Sequence, residues 1–140
     1  MKQMSRDTST SNKGLLWFVL LYTAASLLHF VHNAEFIDEY PNLPASLSRS
    51  TVYLTWLGIA AIGLLGCVLF RYGRQLSGLV LLGIYACIGF DGLLHYTRAP
   101  LGEHTIAMNV TIWLEALAAA LLLLAVVRQA TEFPWKRATD

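Results

Sequence analysis

Charge is scarce in this chain: Asp, Glu, Lys and Arg together make up 14% of its 140 residues, while 56% are hydrophobic. Soluble domains carry about 25% charged residues, so the composition excludes an ordinary soluble fold and fits a chain solvated by lipid. A basic excess is missing too. Ten Lys and Arg stand against nine Asp and Glu, which leaves no electrostatic footprint for nucleic acid. Cysteine is limited to Cys67 and Cys87, each inside an apolar run and neither in a Cys-x-x-Cys pair. No disulfide framework is expected from them, and both read as small, polarizable packing residues. There is no internal repeat of the kind that builds an inverted-repeat carrier within one chain. The first apolar run also lacks the small-x-small cleavage site of a signal peptide.

What is present is four long apolar runs, at 14–34, 51–70, 76–96 and 106–127. Each is close to the roughly 20 residues that a helix needs to cross about 30 Å of hydrocarbon. They predict an all-α fold, an integral membrane bundle of four transmembrane helices in the lipid bilayer. Residues 1–13, rich in Ser and Thr, read as a disordered tail, and 128–140 as a C-terminal tail. The connector at 71–75 allows only a tight turn, which makes the second and third helices antiparallel neighbours. The segment 35–50 is longer, and Pro41 and Pro44 disfavour a continuous helix in it; it is expected to fold back over the bundle as a rigid lid. Lys2, Arg6, Lys13, Arg71, Arg74, Arg128, Lys136 and Arg137 fall on one side, and only Arg49 and Arg98 on the other. Basic residues stay on the cytoplasmic side during insertion, so both termini are expected there, N-in and C-in, in a bacterial cytoplasmic membrane. Gly58, Gly63 and Gly66 in the second run and Gly78, Gly83, Gly89 and Gly92 in the third mark surfaces where helices are expected to approach closely.

Ionisable residues inside apolar runs need a reason, because a charge at the bilayer centre costs a few kcal/mol or more. His29 and His32 lie about 60° apart on one face of the first helix, and Tyr22 and Ser26 continue that face inward. In the third run, the i, i+4 spacing of Asp91 and His95 places them about 40° apart on the helix. His29 is about 7 Å inside Ala34, and Asp91 is about 7 Å inside Tyr96, so both pairs fall in one outer layer. His104, Met108, Thr111 and Glu115 follow one face of the last helix, with Glu115 about 13 Å below its start.

Imidazole nitrogens and carboxylate oxygens are the usual ligands of Zn, Fe and, with His, Cu. His29, His32, Asp91, His95 and His104 are therefore the candidate ligands of a transition metal. Glu115 and Glu35 are the candidate acid/base groups, and Asn33 and Asp38 are further polar neighbours. Haem held between His29 and His95 is an alternative cofactor. A structural account is also open, with the imidazoles hydrogen-bonded to loop carbonyls and Asp91 clamped to His95, Arg98 or Arg49.

Asp91-x-x-x-His95 followed by His104 resembles the Asp-x-x-x-His and later His that bind copper in membrane helices of the particulate methane and ammonia monooxygenase C subunits. The resemblance covers that segment alone, with a shorter gap to the last His, and it implies copper on Asp91, His95 and His104. Intramembrane zinc hydrolases of the ceramidase type also place His and Asp at helix ends, but their larger helix count and full motif set are absent here.

Three functions follow as expectations. The first is a metal-dependent redox or hydrolytic enzyme acting on a lipid-soluble or periplasmic substrate. The second is a small transporter or proton/ion-coupling protein using Asp91 and Glu115, built as a homodimer because four helices are few for a monomeric carrier. The third is a non-enzymatic accessory subunit of a larger membrane complex.

Overall fold

The computed structural model describes residues 2–44 and 46–132, with 2–12 described for the backbone alone. Five α-helices follow one another: α1 (Lys2–Glu35), α2 (Arg49–Arg71), α3 (Gln75–Ile88), the short α4 (His95–Arg98) and α5 (Ile106–Thr131). Single 3-10 turns intervene at Ile37–Glu39, Asp91–Leu94 and Leu101–Glu103, and there is no strand among the described residues. Four segments are long and apolar enough to cross a membrane: Lys13–Glu35, Arg49–Arg71, Gln75–Arg98 and Ile106–Thr131. These match the runs read from the sequence to within a few residues at most ends.

At the amino end, α1 continues through the stretch expected to be a tail, starting at Lys2. Once a helix is formed, each added residue gains one hydrogen bond for one set of fixed dihedrals, so a polar extension can follow an apolar helix. Of the expected C-terminal tail, residues 133–140, with Trp135, Lys136 and Arg137, lie outside the described residues.

The long segments pack in a ring, α1 against α2 and α5, and α3 against α2 and α5. Leu54, Leu57, Leu64, Val80, Leu117 and Leu124 point outward and are exposed, the reverse of a soluble protein and the surface that lipid tails solvate. The α2–α3 turn closes through Gly73 at φ +86. There Arg74 N–H reaches back to Leu69 O at 3.0 Å, a helix C-terminal motif that needs a left-handed residue. Glycine then lets the two helices meet: a Cβ on Gly78 would lie 2.5 Å from the backbone nitrogen of Phe70, and one on Gly63 would lie 2.7 Å from the Tyr85 ring.

The third span is not one continuous α-helix, and here the sequence expectation is corrected. After Ile88 the chain tightens, with Gly89 N–H bonded to Ala86 O at 3.1 Å and Phe90 N–H to Cys87 O at 3.3 Å. It then runs as a 3-10 turn before α4. Close packing explains the break. A Cβ on Gly89 would sit 2.5 Å from the Tyr22 ring and 2.6 Å from the Ala119 methyl, so the backbone is drawn against α1 and α5 at this level. Side chains advance about 120° per residue in a 3-10 turn rather than 100°, so Asp91 and His95 do not stack on one helix face as a regular helix would place them.

Candidate functional site

The ends of the bundle differ. One end carries the short turn at 72–74. The other, the loop end, carries the 36–48 and 99–105 segments, and the polar side chains gather beneath it. On α1, Tyr22, Ser26, His29 and Asn33 recur at i, i+4, i+7 and i+11, and on α5 Met108, Thr111 and Glu115 recur at i, i+3 and i+7. These two faces meet each other: Tyr22, Ser26, His29, Met108, Thr111 and Glu115 are all buried.

At the centre, His29 Nε2 lies 3.6 Å from Glu115 Oε2, with both side chains enclosed. The Asn33 Nδ2 amide reaches two imidazoles, His29 Nε2 at 3.0 Å and His95 Nε2 at 3.5 Å. An amide N–H donates, so Nε2 is the bare nitrogen of both rings. The hydrogen of His29 is then on Nδ1, which donates to Thr111 Oγ1 at 3.4 Å, and Thr111 in turn donates to Met108 O at 3.0 Å. Glu115 is the exception in this ordered set. Neither of its carboxyl oxygens has a hydrogen-bond partner among the described residues, and the same holds for Ser26 Oγ, Tyr22 OH and Asn33 Oδ1. An ionised carboxylate enclosed without a donor costs several kcal/mol, and His29 Nε2 already accepts from Asn33, so in this arrangement the proton of the pair belongs to Glu115. The broken third span lies directly over them: a Cβ on Gly92 would be 3.3 Å from His29 Nε2 and 3.4 Å from Glu115 Oε2.

Next to this pair is a pocket of about 240 Å³, with His29, Asn33, Asp91, His95 and Arg98 on its polar side. Its apolar side comes from Phe30, Leu43, Pro44, Leu47, Val52 and Leu94. Leu43, Pro44 and Leu47 belong to the segment expected to be a lid, and they do cover the loop end. Asn42, held at φ 56, ties that segment down by donating from Nδ2 to Arg98 O at 2.9 Å.

Of the candidate site residues, His29, Asp91, His95 and Glu115 are brought to one neighbourhood. His32 turns away: its Nδ1 accepts from Tyr40 OH at 2.8 Å, and its ring stacks on Phe36. Burial pushes the Tyr40 phenol above its ordinary pKa, which keeps it a donor. His104 bonds through Nδ1 to Pro100 O at 3.2 Å and packs 5.3 Å from the Tyr96 ring, with the His95 ring at 6.2 Å. Glu35 is outside the pocket, accepting from Tyr53 OH at 2.8 Å with Arg49 Nη1 at 3.5 Å. Asp38 is exposed. Neither acid reaches the imidazoles: six residues after His29 in the same helix, Glu35 faces about 120° away from it, toward Tyr53 and Arg49 of α2.

Among the described residues, no three His, Cys, Asp or Glu side chains are placed to share a metal ion. The Asn33 amide stands where a ligand joining His29 and His95 would have to enter, and a haem between them would have to displace it. The structural clamp expected of Asp91 is absent as well, since Asp91 and Arg98 make no ion pair among the described residues. The helical spacing places Thr111 and Glu115 on one face and marks Gly92 as a contact glycine, but it gives Asn33 no place between the imidazoles. Tyr40, in a proline-flanked loop, carries no signal.

No protein family, curated protein or solved structure matches this chain.

Proposed function

We propose that the chain is a small ion-coupling membrane protein in which the His29–Glu115 pair holds a proton exchanged with the loop-end pocket. In this reading both termini are cytoplasmic and the pocket faces outward, as the distribution of basic residues favours. The observation that carries it is the Glu115 carboxyl. It is fully buried in a membrane-spanning helix, has no hydrogen-bond partner among the described residues, and lies 3.6 Å from a bare imidazole nitrogen. Buried carboxyls inside spans commonly belong to proton or ion paths, and a His placed beside one is the usual shuttle. Asp91, in the pocket wall, is the first acceptor for a proton arriving from the loop end.

The test is proton movement into proteoliposomes carrying a trapped pH-sensitive dye, with Glu115→Gln and His29→Gln alongside the intact chain. The expected result is an imposed-potential-driven pH change in the intact protein, reduced at least about tenfold in both variants. Equal rates in all three would reject the proposal.

A second reading, a metal-dependent enzyme on Zn, Fe or Cu, is favoured by one observation. The 3.6 Å between His29 Nε2 and Glu115 Oε2 is a spacing that two ligands of one ion adopt at about 2.0–2.2 Å each. Asp91 or His95 would have to supply a third ligand after Asn33 moves. Near-stoichiometric metal in purified protein, lost in His29→Ala, would support this reading. A metal-free protein with an intact proton response would remove it.

A further inference from the structure

The pocket carries more polar chemistry than proton delivery to the pair calls for. It contains an acid and a guanidinium, Asp91 and Arg98, and neither is in an ion pair among the described residues. It also contains an amide oxygen, Asn33 Oδ1, that is enclosed and has no donor. Asp91 opens the 3-10 turn and Arg98 closes α4, a backbone separation of about 12 Å at the rises of these helices. Asp91 is half-buried, whereas Arg98 is exposed at the loop end, so the guanidinium sits at the mouth of the pocket and the carboxyl deeper in it. Facing the polar side, Phe30, Leu43, Leu47 and Val52 make an apolar wall.

Two unpaired charges of opposite sign in one pocket would ordinarily pair with each other or be avoided. Held apart, they complement a ligand that carries both signs. An ammonium group has three N–H donors and no acceptor, which suits the Asp91 carboxylate and Asn33 Oδ1. A carboxylate suits the planar fork of Arg98, which binds it through two parallel hydrogen bonds. Size narrows the class. A cavity of about 150 Å³ holds benzene, so about 240 Å³ admits a free amino acid with a branched aliphatic or single-ring side chain. It is too small for a peptide, a nucleotide or a whole lipid.

We propose that the loop-end pocket binds a zwitterionic, apolar α-amino acid, with its ammonium at Asp91 and Asn33, its carboxylate at Arg98 and its side chain on the Phe30, Leu43, Leu47 and Val52 wall. This names a substrate class for the ion-coupling reading and rests on it for physiological meaning. Binding itself requires no proton movement, so the two ideas fail separately.

The probe is radiolabelled L-leucine, measured by scintillation proximity on the full chain in lipid nanodiscs. Two half-ligands serve as competitors: 3-methylbutylamine, which lacks the carboxylate, and 4-methylpentanoate, which lacks the ammonium. Leucine is expected to bind saturably, and glycine and both half-ligands at least about tenfold more weakly. Asp91→Asn should weaken leucine and the amine while sparing the acid, and Arg98→Gln should weaken leucine and the acid while sparing the amine. Because both positions are at the loop end and not in the packed core, folding is checked independently by monodispersity and circular dichroism. Absence of saturable leucine binding to folded intact protein overturns the proposal. So does leucine binding that either substitution leaves unchanged, or that 3-methylbutylamine or 4-methylpentanoate displaces as well as unlabelled leucine does.

Discussion

The α2–α3 and α1–α5 interfaces lie in the same bundle and are built on opposite principles. Between α2 and α3 the contact is glycine on bulk: Gly78 on the Phe70 backbone, Gly63 on the Tyr85 ring and Gly66 on Leu82. Between α1 and α5 the contact toward the loop end is polar, with His29, Thr111 and Glu115 enclosed between helices. Lipid gives helices no hydrophobic reason to associate, so close van der Waals approach has to hold them. The first interface meets that need directly. The second surrounds a carboxyl without a donor among the described residues, an arrangement that contributes little to stability and that the proposed proton exchange would explain. The two interfaces should therefore separate stability from function under substitution.

The largest effect is expected at Gly78. Gly78→Leu forces a side chain into the Phe70 backbone, where even a Cβ has only 2.5 Å. The expected loss is about 3 kcal/mol or more, read as failure to recover monodisperse protein or as a sharply lowered unfolding midpoint in detergent. The contrasting substitution is Glu115→Met, which replaces the lone carboxyl with an apolar chain of similar volume. Its stability should stay within about 1 kcal/mol of the parent or rise, while proton movement is lost; a collapse like that of Gly78→Leu would mean the carboxyl is structural. Thr111→Val removes the acceptor for His29 Nδ1–H. It should cost about 1 kcal/mol and alter the tautomer ratio of His29 in nitrogen-15 NMR. Smallest is Ser48→Ala, which removes the side-chain cap on Thr51 N–H at the start of α2. A change of about 0.5–1 kcal/mol with unchanged proton behaviour would separate the capping contribution from the site.

The bundle was legible because the information needed is local: four apolar runs of bilayer length, a connector too short for anything but a turn, and glycines at contact spacing. The polar faces of α1 and α5 were legible for the same reason, since Tyr22, Ser26 and His29, like Met108, Thr111 and Glu115, keep a regular helical period. Asp91 and His95 were not. Their relation depends on whether the helix continues past Ile88, and that is decided by Tyr22 and Ala119 pressing on Gly89 from other helices. Glu35 and His32 look like members of the cluster in the sequence because they follow His29 closely. Tyr40 and Arg49 hold them elsewhere, and neither partner is adjacent in the chain.

The central claim is that His29 and Glu115 share one exchangeable proton. Infrared difference spectroscopy of the carboxyl C=O stretch reads this most directly, with intact protein and Glu115→Gln compared across the pH range in which both stay folded. The account predicts a buried-carboxyl band that gains or loses intensity with pH, disappears in Glu115→Gln and shifts when His29 is replaced by Gln. A Glu115 band that keeps its frequency and intensity at every pH, with or without His29, would contradict it.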